Sequence, residues 1–451
     1  MPQAWKETFS RYRDIRLLWI FLMGCSSGFP FLLTGSILSG WLTDAGIKRA
    51  EVGLLGSVAI VYAINFLWAP LVDRVHLPLI GRLGQRRSWI LVTQTMMLAF
   101  TLLLATVDPT SHLLMAGLFA FGIAASSATQ DIAVDAFRID QFAPHERDYL
   151  PPAAAIAIIG WWTGYSWPGY LAFTQADNLG WSTIYLMMAG VIMLLMLFTL
   201  LVREPDTGRD RLQEQADRQY QRQLHGHRWL SWVAVTVVEP FAEFFRKNGV
   251  KVALMLLLFI FLFKIGEAFL GRMSVVFYKE IGFSNEQVGE YTKLFGWFLT
   301  VSFTLLGSLF NTRFGIVKGL LLGGSAMAAS NLMFAVLAST GPIEWLLVLT
   351  LVIDNFTTAF STVAFVSFLT LLTGRAFSAT QYALLASLGN LGRTTLAGLS
   401  GYSVDWLGSW ERFFVVTALM VLPSLCMLWM LRDRFNGISE NSEGSAHKKY
   451  K

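Results

Sequence analysis

Two carboxylates four residues apart, Asp131 and Asp135, stand in the stretch Gly122–Asp140, GIAASSATQDIAVDAFRID. An i, i+4 pair shares one face of a helix, so both acids point the same way. The small residues Ala124, Ala125, Ser126, Ser127 and Ala128 ahead of them would let a neighbouring helix come close. Ionisable groups within a bilayer are costly and mark a cavity or a pathway. Burial in a low dielectric favours the protonated carboxyl, so the chemistry within reach is proton uptake on one side and release on the other. The opposing expectation places the stretch low in its helix, with Arg138 and Asp140 among the headgroups and both acids in fixed structural pairs. A Lys or Arg bound to either acid would make that pair a latch and not a proton carrier.

Further charges interrupt apolar runs later in the chain. FLFKIGEAFLGRM carries Lys264, Glu267 and Arg272; Lys293, Asp354 and Arg393 follow in YTKLFG, VIDNF and NLGRTT. The first half thus supplies buried acids and the second mainly buried bases. Arg272 lies near a helix end, where a long side chain snorkels. Lys264, Lys293 and Arg393 lie deeper, to pair with Glu267 or Asp354 or to meet an anionic substrate. Around them come polar aromatics and amides: Tyr62, Asn65, Gln94, Gln130, Trp161, Trp162, Tyr165, Gln381, Tyr382 and Asn390. Such a lining suits sugar rings and peptide amides, since aromatics stack and amides both donate and accept. Trp167 and Trp181 are expected in an interfacial belt.

These groups need a membrane scaffold. Of 451 residues, 54% are hydrophobic and 14% charged, against about 25% charged in soluble domains. Apolar runs long enough for a hydrocarbon core of about 30 Å recur throughout. The expected fold is all-α and polytopic, with twelve spans: 15–42, 51–72, 88–107, 111–137, 152–173 and 181–202, then 250–278, 287–310, 315–338, 343–372, 378–400 and 410–431. Gly28–Pro30 is a candidate break in the first. The polar N-terminus lacks a cleavage site, so the first run reads as a retained span. Cys25 and Cys426 both sit in apolar runs, which points to neither a disulfide framework nor a metal cluster. The net charge of +5 comes with no basic aromatic face, so no nucleic-acid partner is expected.

The positive-inside rule sets the orientation. With both termini cytoplasmic, the outer loops hold only Lys48, Arg49, Lys279 and Arg412, and the spans hold Lys264, Arg272, Lys293 and Arg393. All other Lys and Arg of the 35 fall on the inner side. The divisions are 1–202 for a first six-helix bundle, 203–249 for a linker, 250–431 for a second bundle and 432–451 for a mobile tail. Residues 203–228 read as a solvated segment or surface helix. Residues 229–247, interrupted by Pro240, read as an interfacial helix. WLTDAGIKRAEVGLLG (Trp41–Gly56) matches FYKEIGFSNEQVGEY (Phe277–Tyr291) in an acid, a Gly and a Val-Gly pair six residues on; LVDR (Leu71–Arg74) likewise resembles LFNTR (Leu309–Arg313). Matches in the same order in both halves favour a duplicated unit of the major-facilitator type.

The loop LVDRVHLPLIGRLGQRRSW resembles the inner-loop motif G-x-x-x-D-R-x-G-R-R of that superfamily, although longer and with Ala69-Pro70 at the small-residue position. Asp73, Arg74, Arg86 and Arg87 are therefore gating candidates; the simpler reading is a positive anchor. No Gly-rich phosphate loop, H-E-x-x-H site or nucleophile arrangement occurs, so neither ATP drive nor enzyme chemistry is expected, and no cofactor.

Taken together, several stretches resemble the AmpG family of muropeptide permeases in the major facilitator superfamily. They are SSGFPFLLTGSILSGWL (Ser26–Leu42), LWAPLVDR (Leu67–Arg74) with GQRRSWILVTQ (Gly84–Gln94), SSATQDIAVDAFRID (Ser126–Asp140), FKIGEAF (Phe263–Phe269), GFSNEQVGEYTKLFG (Gly282–Gly296) and FSATQYALLASLGNLGR (Phe377–Arg393). The resemblance implies an inner-membrane permease that imports N-acetylglucosamine–1,6-anhydro-N-acetylmuramic acid, with or without stem peptide, for peptidoglycan recycling. It also implies a feed into beta-lactamase induction where the regulator exists. Carried onto this chain, the intramembrane charges are Asp131, Asp135, Lys264, Glu267, Lys293 and Arg393. The expected partners are anhydromuropeptides, protons and membrane lipids, for a monomer. Two alternatives are a proton-coupled carrier of another amphiphilic anion, such as a siderophore or peptide conjugate, and a non-transporting receptor.

Overall fold

The computed structural model describes residues 8–47, 51, 55, 57–78, 80–143, 145–223, 228–283, 295–397 and 399–432 of the chain, and their regular structure is all helical. The first half contains α1 (Ile15–Asp44), α2 (Ala69–Arg74), α3 (Gln85–Ala105), α4 (Leu113–Asp140), α5 (Leu150–Leu179) and α6 (Trp181–Leu201). The linker contains α7 (Arg209–Gln223) and α8 (Glu239–Asn248). The second half contains α9 (Val250–Phe263), α10 (Ile265–Glu280), α11 (Phe295–Phe314), α12 (Ile316–Thr340), α13 (Glu344–Leu372), α14 (Ser378–Ala397) and α15 (Trp410–Arg432). Among the described residues, eight helices are long and apolar enough to cross a membrane: α1, α3, α4, α6, the α9–α10 run Val250–Tyr278, α12, α13 and α15. The described residues of the other four expected positions are largely helical too, in segments that are shorter or more polar. The second is broken into short turns, Ser57–Ile60, Val61–Ile64 and Asn65–Leu67, before α2. It and α14 carry polar residues that face the centre of the molecule, which lowers their hydropathy.

Pro30 does not break α1. The helix continues through it, and the irregularity comes a turn later as the π-helical turn Leu33–Ile37. Proline cannot donate to the carbonyl four residues back, which leaves the oxygen of Ser26 without its helical donor. Gln130 Nε2 on α4 donates to that oxygen at 2.7 Å, so one amide mends the helix and pins α1 to α4. The seventh expected span does break, at Lys264 between α9 and α10, where φ is −100° and ψ 6°. Pro240, expected to interrupt an interfacial helix, does not end it: the helical run continues from 228 to 248, and the irregularity is the π-helical turn Ala234–Val238 just ahead of the proline.

The tightest helix contact is α1 on α5. A Cβ at Gly28 would lie 2.0 Å from the Trp161 carbonyl oxygen, and one at Gly164 2.2 Å from that of Cys25. Gly24 and Gly28 on α1 face Gly160 and Gly164 on α5, so small residues four apart on both helices bring backbone against backbone. The second half packs chiefly through α12 on α13, α11 on α13 and α12 on α15. Between halves, α5 lies against α11 and α13, and α14 lies against α2 and α4.

The repeat seen in the sequence has a structural counterpart. Ile47 N donates to Leu42 O and Phe283 N to Tyr278 O, each at 3.0 Å, across Gly46 and Gly282 with φ of 74° and 107°. Both helices end in the left-handed glycine cap that such a bond requires. Just before each glycine sits the repeat's acid. Asp44 accepts from Trp181 Nε1 and Glu280 from Trp410 Nε1, both at 2.8 Å. Trp181 is thus tied to α1 as well as placed near an end of the molecule. The Val-Gly portions of the match, 52–53 and 288–289, lie outside the described residues.

Adding a methyl to the α1–α5 contact forces the helices apart. Gly164→Ala is expected to destabilise the protein by about 1–3 kcal/mol, seen as a lower melting temperature in detergent. Gly190→Ala on α6, where nothing lies within 4 Å of the new carbon, should melt with the wild type. Equal melting of the two variants would refute the close-packed contact.

Candidate functional site

A cavity of about 130 Å³ lies between the halves. The first half lines it with Phe31, Tyr62, Asn65, Asp131, Ile132 and Asp135, and α14 with Ala379, Tyr382, Ala383, Ala386, Ser387 and Asn390. The i, i+4 spacing on α4 does what geometry requires and turns both acids to this space. Asn65 spans it: its Nδ2 donates to Ala128 O at 3.3 Å, and its Oδ1 accepts from Ser387 Oγ at 3.2 Å. Aromatic rings continue from the wall. Tyr62 stacks on Phe31 at 4.1 Å, Phe31 meets Trp161 edge-on at 5.5 Å, and Trp161 stacks on Tyr165 at 5.5 Å with planes 9° apart.

The two acids differ in their partners. Asp131 Oδ1 accepts from Ser27 Oγ on α1 at 2.7 Å, a neutral donor. Asp135 is bonded by Arg138 Nη2 at 3.2 Å, with 40% of its side chain exposed. Arg138, one turn beyond, also donates to Thr370 Oγ1 at 3.0 Å and stands 4.9 Å from the Tyr382 ring centre. Asp135 therefore fits the fixed-pair expectation, and Asp131 is the acid without a basic partner in hydrogen-bond contact.

Other expected site residues lie elsewhere. Gln94 is buried in the first half, donating to Ser26 Oγ at 2.8 Å and accepting from Thr199 Oγ1 at 3.1 Å. Gln130 is buried at Ser26 as described, away from the cavity wall. Gln381 belongs to the linker end: its Nε2 donates to Pro240 O and Glu243 Oε2, both at 2.9 Å, and its Oε1 accepts from Gly374 N at 2.6 Å. Lys264 sits at the α9–α10 break and donates to Glu267 Oε2 at 2.5 Å and to Ser361 Oγ and Thr362 Oγ1 at 2.9 Å. Asp354 accepts from Ser330 Oγ at 2.8 Å. These form a second polar cluster within the second half. Lys293 lies outside the described residues, and α14 carries Arg393 without a described side chain.

The gating candidates separate into three roles. Asp73 and Arg86 are fully buried and paired at 2.7 Å. Asp73 also accepts from Thr380 N at 2.7 Å, Thr380 Oγ1 at 2.6 Å and Ala379 N at 3.3 Å. It caps the N-terminus of α14, in the other half, where the helix dipole favours an anion. Arg86 adds Asp140 at 3.2 Å and Ser378 Oγ at 2.9 Å. Arg74 pairs with Asp217 on α7 at 2.8 Å. Arg87 stays within the first half, donating to the carbonyls of Thr199 and Leu200 at the end of α6.

Sequence reasoning overlooked three participants. Glu204 accepts from the backbone N–H of Arg86 at 3.1 Å and of Arg87 at 3.0 Å, capping α3 from a distance. Arg209 on α7 donates to Gln85 Oε1 at 2.8 Å and lies 3.6 Å from Asp140. Gln213 on α7 donates to Ala376 O at 2.7 Å and Asp73 O at 3.3 Å, which joins both halves. A mixed-charge helix of this kind, expected to be solvated, lies as a strap across the linker end because Arg209 and Gln213 share a face. Only their partners could have shown it.

Asp73→Asn leaves one acceptor oxygen where four donors converge. Spin labels on the exposed positions Arg82 and Lys318, one in each half, are expected to report a longer and broader distance distribution in this variant than in wild type. An unchanged distribution would show that the cap does not hold the linker end closed.

The family model for the Major Facilitator Superfamily matches residues 20–393. The chain is 32% identical over 437 residues to the anhydromuropeptide permease of Escherichia coli K12, covering 96% of this chain and 82% of that protein. It is 29% identical over 429 residues to a protein named AmpG 4 of Rickettsia felis, covering 94% and 98%. Among solved structures it resembles the fucose:proton symporter FucP of E. coli, with TM-score 0.66, 15% identity and coverage of 93% and 98%. It also resembles the proton:xylose symporter XylE, with TM-score 0.64, 14% identity and coverage of 94% and 95%; at such identities the likeness is one of fold. Family model, relatives and fold agree: the chain belongs to the AmpG family of the major facilitator superfamily, and is a multi-pass membrane transport protein, not an enzyme.

Proposed function

We propose that this protein imports N-acetylglucosamine–1,6-anhydro-N-acetylmuramic acid and its peptide-bearing forms across the bacterial inner membrane by proton symport, for peptidoglycan recycling. The observation that carries the reading is Asp131. It is an intramembrane carboxyl held by the hydroxyl of Ser27, on the wall of a cavity to which both halves contribute. A neutral partner leaves it able to gain and lose a proton, whereas Arg138 keeps Asp135 in place. The rings of Phe31, Tyr62, Trp161 and Tyr165 suit the stacking faces of a disaccharide, and Asn65 and Asn390 its hydroxyls and amides. The E. coli relative is named for anhydromuropeptides.

In this reading residues 1–202 and 250–431 are two six-helix bundles of twelve spans in all, and both termini and the linker are cytoplasmic. The cytoplasmic end is closed by the Asp73 cap. Protonation of Asp131 and arrival of substrate release that end, and the bundles rock about the cavity. As they do, Lys264 exchanges Glu267 for a carboxylate of the substrate, with Lys293 and Arg393 as further anion contacts. Occupancy by a disaccharide requires a cavity larger than this closed form provides.

Uptake of labelled disaccharide into proteoliposomes, with and without an inward proton gradient, tests the proposal. Asp131→Asn is expected to abolish gradient-driven accumulation while retaining exchange. Lys264→Ala should raise KM roughly tenfold or more, as loss of a charge-assisted contact of about 1.5–3 kcal/mol does. No uptake by folded wild-type protein would overturn the substrate and direct the search to other amphiphilic anions. Normal accumulation by Asp131→Asn would make that acid structural.

A further inference from the structure

A second hollow, of about 190 Å³, lies at the linker end between α8, α9 and α14. Its walls are Phe241, Phe244, Phe245, Leu257, Leu384 and Leu388, and its inner end reaches Thr380 and Gln381. Carbon dominates the walls, so the groove accepts hydrocarbon and offers little to a polar solute. Exposed Phe241, Leu254 and Leu258 continue from it over the outside of the protein, so it opens on an apolar surface.

The rim is basic. Lys247 follows Phe244 by three residues and Pro240 by seven, so it stands on the groove face of α8. Arg246 and Lys251 are exposed beside it. Arg147, from the first half, lies close enough to Lys247 for the two cations to repel. Of the neighbouring acids, Glu239 is taken by Arg246 at 2.6 Å, and Glu243 accepts from Gln381 while partly offsetting Lys247. An anion between Lys247 and Arg147 would relieve that repulsion. A hydrocarbon slot with a basic rim, on an amphipathic helix beside a membrane span, matches a phosphodiester bearing acyl chains.

We propose that this groove seats an anionic phospholipid, its acyl chain along Phe241, Phe244 and Leu384 and its phosphate between Lys247 and Arg147, and that the seated lipid favours the closed linker end. The link to closure is direct. The groove's inner wall is Thr380, whose N–H and hydroxyl bind Asp73, and Gln381, which ties α14 to α8. A chain in the groove packs against the turn of α14 that Asp73 caps.

The test uses the full-length protein in detergent, offered equal phosphatidylglycerol and phosphatidylcholine and read by native mass spectrometry. Wild type is expected to retain one phosphatidylglycerol in preference. Leu384→Trp, which fills the groove, and Lys247→Glu, which reverses the rim, should each reduce that retention about tenfold. Arg218→Glu, on the exposed face of α7, should leave it unchanged, and melting temperatures confirm that each variant is folded. In nanodiscs, phosphatidylglycerol should increase the short-distance population between labels at Arg82 and Lys318 in wild type and not in Lys247→Glu. Equal retention of the two lipids, or full retention by both groove and rim variants, would overturn the site. Preferential retention without any change in the distance distribution would overturn the effect on closure.

Discussion

The closed form depends on how a buried charge cluster is divided between the parts that hold it. Asp73, Arg86 and Asp140 are shielded from solvent, and with Arg209 they form two acids against two bases. Breaking a buried ion pair by removing one partner costs about 3–5 kcal/mol, so a transporter that split such a pair each cycle would face a large barrier. Here Asp73, Arg86 and Asp140 all belong to the first half. What reaches across to the second half is neutral: the N–H groups of Ala379 and Thr380, and the hydroxyls of Ser378 and Thr380. The same holds for Arg138 on Thr370 and Arg375 on the carbonyl of Phe142. Among the described residues no ion pair joins the two halves directly. Each of these crossing bonds is charge-assisted on one side only, worth about 1.5–3 kcal/mol, and can be exchanged for water without stranding a charge. α7 adds a second fastening, through Arg74–Asp217 and Gln213, which must also yield.

The all-α, multi-span character was legible in the sequence, because long apolar runs are a property of residue types. The site was legible only in part. Asp131 and Asp135 could be placed on one face by spacing, and Arg138 stands one turn from Asp135 and two from Asp131, but nothing in the spacing shows that Ser27, on another helix, holds Asp131. Gln94, Gln130 and Gln381 were read as cavity amides, since a buried glutamine looks the same in sequence whatever it binds. The clue for Gln130 was present in Pro30, which leaves the Ser26 carbonyl unserved. The partner of Asp73 was not, because backbone N–H groups at the start of α14 leave no mark on residue identity.

Position along α5 and α14 explains why the cavity forms where it does. Each of these helices lies against two helices of the opposite half, α5 against α11 and α13, α14 against α2 and α4. α5 is fixed to α1 by backbone contact at Gly28 and Gly164, so Trp161 and Tyr165 move as one body with Phe31. α14 is held to the first half by hydrogen bonds at its start and by Ser387 on Asn65 further along. The aromatic group beside the cavity is therefore backed by close helix packing, whereas α14 is held across it by hydrogen bonds that can be exchanged.

The two indole–carboxylate ties mark corresponding points in the two halves. Asp44 and Glu280 differ by a methylene group, yet each oxygen meets its tryptophan nitrogen at 2.8 Å. The bond is kept while the acid differs, so what the two halves share at this point is a geometry and not a residue. It marks corresponding positions more firmly than residue identity does, and against that common frame the serine held to an acid in one half and the lysine held to hydroxyls in the other stand out as differences of chemistry alone.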